Sequence, residues 1–220
     1  MRFTESLLGV ALLSAALAGE SSGAPAPERL TEVLAALKSA GESLQTLAAR
    51  FRQTKHDHIL SEDSVVTGRL YYQVPGRIRW EYDPPDGKVL LVREDKVQVY
   101  NPAARQVQEF PKGRLKAAEG ELLIGLGPGN AAIGKRYQVS LLGEDADRVT
   151  LKLVPRGEAL FTGIELSLDS ARFLPVRTVF QEPNRDTTEL VFSQKEVNRA
   201  LPRQIFELKL PAGVEVIRGQ

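Results

Sequence analysis

From Leu47 onward the sequence keeps a period of two, and that alternation rules out most folds open to a chain of 220 residues. Leu47, Ala49, Phe51 and Gln53 alternate with Ala48, Arg50 and Arg52. Leu70, Tyr72 and Val74 share one face, with Arg69, Tyr71 and Gln73 on the other. Pro75-Gly76 is a turn signal, after which Ile78, Trp80 and Tyr82 alternate with Arg77, Arg79 and Glu81. The pattern predicts a hairpin with one apolar and one charged face. Asp83-Pro84-Pro85-Asp86-Gly87 breaks it, and strands follow over Lys88–Val92 and Lys96–Tyr100 with a turn near Glu94-Asp95.

Alternation lapses between Pro111 and Gly134. Leu115, Leu122, Leu123, Ile124 and Leu126, cut by Gly125, Gly127, Pro128 and Gly129, suggest one or two short amphipathic helices there. Strands resume over Tyr137–Leu142, Val149–Val154, Leu160–Leu168, Leu174–Gln181, Thr187–Ser193 and Phe206–Leu210. Upstream, Leu30, Val33, Leu34 and Leu37 mark one face of a helix over about Glu28–Ala40, with Gly41 as its expected end. About eleven or twelve short-connected strands make an antiparallel meander that must curl or close. The expectation is a mainly β (α+β) fold, an incomplete antiparallel barrel of about eleven strands with a helical lid over an apolar cavity.

Met1-Arg2 followed by the uncharged run Leu7–Ala18 is too short for a stable membrane span and ends in Ala16-Leu17-Ala18. We expect a signal peptide over 1–18, a flexible lead-in over 19–27, and one domain over 28–220. The chain has no cysteine, which excludes disulfides, thiol nucleophiles and a lipid-bearing N-terminal Cys. Lys+Arg 29 against Asp+Glu 28 leaves no basic excess for a polyphosphate, so no nucleic acid is expected. A soluble, monomeric periplasmic protein is the simplest reading.

Other constellations carry little chemistry. His56-Asp57-His58 places two imidazoles on one strand face but lacks a third ligand. Gly125-Leu126-Gly127-Pro128-Gly129-Asn130 lacks the Lys-Ser/Thr of a phosphate loop and reads as a helix breaker or lid hinge. Glu144, Asp145 and Asp147 belong to a hairpin turn, too few for a calcium loop. No nucleophile elbow appears, and apart from the phenols of Tyr72 and Tyr82 no titratable group falls among the inward positions, so neither an enzyme nor a cofactor is expected.

The run Gly68-Arg69-Leu70-Tyr71-Tyr72-Gln73-Val74-Pro75-Gly76-Arg77-Ile78-Arg79-Trp80-Glu81-Tyr82, then Pro85 and Val97-Gln98-Val99-Tyr100-Asn101-Pro102, resembles the LolA family of periplasmic outer-membrane lipoprotein carriers. Phe51-Arg52-Gln53 upstream, and Asn198 with Phe206–Val216 downstream, are similar to the same family and keep its order. The resemblance implies a barrel holding acylated lipoproteins, loaded by an inner-membrane LolCDE-type ABC transporter and unloaded toward a LolB-type outer-membrane receptor. Two positions depart from the family. Val74 stands where it usually has an Arg that hydrogen-bonds lid carbonyls, and Arg93-Glu94-Asp95-Lys96 stands where Asp-Gly is common.

On this reading Leu70, Tyr72, Val74, Ile78, Trp80 and Tyr82 line the cavity on the first hairpin. Val97 and Val99 join them by alternation, and Leu122, Leu123 and Leu126 form the lid side. Val89–Val92 is apolar throughout, so alternation cannot choose a face; Leu90 is assigned inward. Carriage of another lipid, or a sensing module of the same fold, are the alternatives. The sensor is disfavoured because such proteins carry a second domain. Intact mass of the protein recovered from the periplasm should correspond to a chain beginning at Gly19; a mass retaining residues 1–18 would contradict the cleavage site.

Overall fold

A computed structural model describes residues 26–111, 130 and 132–219. The expected leader and the lid residues Leu122, Leu123 and Leu126 lie outside the described residues.

Helix α1 spans Ala26–Ser43, two residues earlier than expected because Pro27 is accommodated in the first turn, where a missing N–H costs nothing. Val33 and Leu37 are buried, and Lys38 pairs with Glu42 at 2.8 Å on the solvent side. Gly41 does not end the helix, which runs on to Ser43. A side chain from far along the chain supplies the stop. Asn198 Nδ2 donates to the Ser43 carbonyl at 3.1 Å, and Asn198 Oδ1 accepts from the amides of Gln45 (2.8 Å) and Thr46 (3.3 Å). Helix-end groups that would otherwise face water are thereby paired.

Among the described residues twelve strands follow: β1 Thr46–Asp57, β2 Glu62–Gln73, β3 Arg77–Tyr82, β4 Val89–Val92, β5 Lys96–Asn101 and β6 Gln106–Pro111. After the single helical turn α2, Ile133–Arg136, come β7 Tyr137–Glu144, β8 Arg148–Pro155, β9 Gly163–Asp169, β10 Pro175–Gln181, β11 Thr187–Val197 and β12 Glu215–Arg218. All lie in one open sheet, ordered β12-β6-β5-β4-β3-β2-β1-β11-β10-β9-β8-β7. Neighbours are antiparallel except β12, which runs parallel to β6. The β2–β3 hairpin turns through Val74-Pro75-Gly76, as the alternation predicts, pairing Gln73 with Arg77.

The last third corrects the sequence reading. Phe206–Leu210 is not a strand: Arg203–Phe206 is a 3₁₀ turn, and the sheet gains its final strand only at Glu215. Phe206 instead packs with Val89 and Leu91, and Ile205 and Leu208 lie against them, on the face of β4 opposite the main core. Arg79 Nη1 donates to the carbonyls of Ile205 (3.3 Å) and Glu207 (3.2 Å), pinning this crossing segment to β3. The strand expected to begin at Leu160 begins at Gly163, and β6, unassigned by alternation, buries Val107.

One close approach fixes how β1, β2 and β3 fit together. A Cβ at Gly68 would lie 2.1 Å from the Glu81 carbonyl oxygen and within 2.6 Å of two Phe51 ring carbons. Below this point, on the charged face, Arg50 grips Asp83 through two hydrogen bonds (3.1 and 2.6 Å), and Thr67 Oγ1 donates to the same carboxylate at 2.6 Å. Arg50, with help from Thr67, holds the Asp83 carboxyl below the usual carboxylate range.

Gly68→Ala should destabilise the protein by about 3 kcal/mol, the upper end of overpacking costs, since backbone as well as a ring must move. A urea midpoint unchanged from wild type would refute the contact. A carboxyl whose pKa is depressed by folding stabilises above its unfolded pKa, and that contribution disappears as pH falls through the folded value. Asp83→Asn should therefore lower the urea midpoint at neutral pH and flatten its fall below about pH 4; an acid limb as steep as wild type would contradict the clamp.

Candidate functional site

Strand register sets the candidate site out in rows. Tyr72 stands beside Ile78, Ile78 beside Val92, Val92 beside Val97, and Val97 beside Phe110. The next row runs Leu70, Trp80, Leu90, Val99, and a third joins Phe51, Gly68 and Tyr82. Side chains two apart on each strand point to the same side, so three rows on β1–β6 make one continuous apolar wall. Leu70, Tyr72, Ile78, Trp80 and Val97 are buried in the main cluster, and Val74, Tyr82, Leu90 and Val99 pack half-buried against it. Register also resolves the apolar run of β4: Leu90 and Val92 face the main cluster, while Val89 and Leu91 face the crossing segment.

Sequence reasoning left out Val92, Phe110 and Phe192, which belong to the same cluster. Val92 shares parity with Leu90, the signal by which it was legible. Val33 and Leu37 of α1, and Leu151, Leu153, Ile164, Leu166 and Phe180 from the other half of the sheet, belong to the cluster as well. The wall is thus packed against α1 and the far strands in this structure.

Aromatic rings sit at its centre. Phe51 and Trp80 have centroids 4.5 Å apart, Tyr82 meets Phe51 edge-on at 5.3 Å, and Phe192 meets Trp80 edge-on at 6.1 Å. The Tyr82 hydroxyl donates to Gln53 Oε1 at 3.1 Å. Burial pushes the phenols of Tyr72 and Tyr82 up, so both stay neutral; the nearby Trp80 indole pulls Tyr82 weakly the other way. Trp80 Nε1 is itself buried without a well-formed hydrogen bond among the described residues.

The opposite face is charged. Arg177 bridges Glu189 (2.5 Å) and Glu165 (4.0 Å) across β9–β11, and Lys96 meets Glu109 at 2.9 Å, which lowers the Glu109 carboxyl. Pockets of about 430 and 330 Å³ on this face, and one of about 350 Å³ beside α2, contain none of the predicted wall residues. His56 and His58 do not form a metal pair: His58 lies beyond β1, and His56 Nδ1 contacts Asp63 at 2.7 Å. Among the described residues no group of three metal-ligating side chains is present. Asp145 Oδ1 accepts from the amides of Asp147 and Arg148, each at 2.9 Å, as a turn residue does.

Residues 42–209 match the family described as outer membrane lipoprotein carrier protein LolA. The chain belongs to the LolA family. It is 30% identical over 209 residues to an outer-membrane lipoprotein carrier protein of Chromobacterium violaceum, covering 94% of this chain and 96% of the relative. It is 28% identical over 221 residues to one of Pseudomonas aeruginosa, covering 99% and 100%. An uncharacterized conserved protein of Thermus thermophilus, 16% identical, shares the fold with a TM-score of 0.57, covering 87% of this chain and 99% of that one. LolA membership supports a lipoprotein-carrier role with lipoproteins as cargo. Among the described residues, no helix is long and apolar enough to cross a membrane.

Proposed function

We propose that this chain shelters lipoprotein acyl chains against the apolar wall of its sheet and carries them through the periplasm from the inner membrane to the outer membrane. Cargo would come from a LolCDE-type transporter and pass to a LolB-type receptor where one exists. The observation that carries this reading is the gathering of all nine predicted wall residues into one apolar cluster, with the charges on the other face. Each buried CH₂ is worth about 0.8 kcal/mol, so a sixteen-carbon chain offers roughly 10 kcal/mol or more, ample to hold cargo in water without a covalent link.

For acyl chains to enter, something packed on the wall must move, and α1, which covers it through Val33 and Leu37, is the element we assign. At its start Arg29 donates to Glu144 of β7, a partly exposed pair in which the arginine lowers the Glu144 carboxyl. Such pairs are screened by solvent and contribute little. At its end the Asn198 hydrogen bonds form a firmer node. We assign α1 to lift from its Arg29 end and pivot near Ser43, with Leu122, Leu123 and Leu126 as the lid side. Val74 cannot supply the hydrogen bonds of an arginine; its amide donates to the Gln45 carbonyl at 2.9 Å and its side chain packs into the cluster. The closed state then rests on apolar contact, the Arg29–Glu144 pair, and hydrogen bonds from Asn198 to Ser43 and from Asn130 to Leu37.

The chain has one tryptophan, and it stands in the wall, so Trp80 emission reports occupancy directly. Titration with a diacylated lipopeptide should change that emission. Val99→Asp and Leu90→Asp, at half-buried positions, should each weaken binding at least about tenfold, or 1.4 kcal/mol, while still folding cooperatively. Unchanged affinity in both folded variants would remove the wall assignment.

A further inference from the structure

Ile59, 82% exposed, and Leu60, 64% exposed, are the two most exposed large apolar side chains among the described residues, and they are neighbours. They occupy the turn between β1 and β2. These strands pair with each other along their whole length, whereas β3 pairs only with Gly68–Gln73, so the tip end of the hairpin outruns the sheet on that side. Leu142 and Leu160 are exposed singly, which is ordinary, and the adjacent Val216 and Ile217, 39% and 41% exposed, lie in strand β12, where successive side chains point to opposite faces.

The tip is built rather than loose. The amides of Ile59 and Leu60 both donate to Asp57 Oδ1 at 2.9 Å. The His58 amide donates at 2.9 Å to Asp186 Oδ1, a carboxylate that is itself buried. Ser61 closes the turn at φ 53°. Three successive N–H groups are therefore satisfied from within, and the turn can enter an apolar medium without dragging unpaired donors along. Asp57, Glu62 and Asp63 flank it along the chain, and behind it Lys55 pairs with Glu182 at 3.8 Å and Asp186 at 3.6 Å.

We propose that this tip is a bilayer-contact element, with Ile59 and Leu60 entering the acyl-chain boundary of a membrane while Asp57, Glu62 and Asp63 remain at headgroup level. A convex tip of two aliphatic side chains suits a fluid interface, which needs no preformed pocket. The acidic surround fits a net-neutral headgroup surface and opposes an anionic one. The tip uses none of the cavity-wall residues, so it adds to the carrier reading without depending on it.

Flotation of the full mature chain with phosphatidylcholine vesicles tests this. Wild type should co-float, Ile59→Ser with Leu60→Ser should lower the bound fraction at least about fivefold, and Val191→Ser, an exposed apolar position on the sheet face, should leave it unchanged. Replacing part of the phosphatidylcholine with phosphatidylglycerol at low salt should reduce binding. Because the chain has no cysteine, Leu60→Cys carrying a polarity-sensitive dye reports insertion at one site, and its emission should shift to the blue on vesicles. Equal flotation of the double variant and wild type, or a dye signal indifferent to vesicles, overturns the proposal. Tip variants that float normally but fail to pass cargo to a purified acceptor would show a protein-docking tip, and also overturn it. Trp80-monitored lipopeptide binding should be the same in all tip variants, which separates this test from that of the cavity.

Discussion

The Phe51 ring lies over Gly68 at the point where three strands meet, and the apolar wall depends on that contact. Only a residue without a side chain lets the ring come down between β2 and β3, and only with the ring there can Trp80 and Tyr82 close around it. On the reverse side the Arg50–Asp83–Thr67 clamp holds the same three strands from below. Polar groups on one face fix the spacing at which aromatic groups on the other can pack.

A wall of this kind suits cargo that must be held and then surrendered. Apolar contact is non-directional and additive, so acyl chains of different length can share one surface, with affinity following buried area rather than a fixed set of hydrogen bonds. Here the wall is buried against Val33 and Leu37 of α1, so on the proposed reading cargo would replace one apolar contact with another. Such an exchange would leave binding well below the gross transfer energy of the acyl chains and keep unloading within reach of an acceptor.

The first half of the sheet was legible because its outward positions are charged or polar: Arg69, Arg77, Arg79 and Glu81 mark the solvent face and leave Leu70, Ile78 and Trp80 no other place to go. Val89–Val92 carries no such contrast, since both its faces are buried, and only strand register divides it. The crossing segment misled for a related reason. Phe206 and Leu208 alternate as strand residues do, yet they cover the outer side of β4. The true last strand, Glu-Val-Ile-Arg, is exposed at every position and offers no burial pattern to read. Gly41 failed as a helix end because the real terminator, Asn198, lies 155 positions beyond the carbonyl it caps.

The central claim is that the apolar wall carries lipoprotein acyl chains, and native mass spectrometry of the protein recovered from periplasm tests it most directly. Triacylated lipoprotein should be found on the wild-type chain and be depleted in Val99→Asp. A free lipid in its place, or no apolar cargo under any condition, would contradict the account.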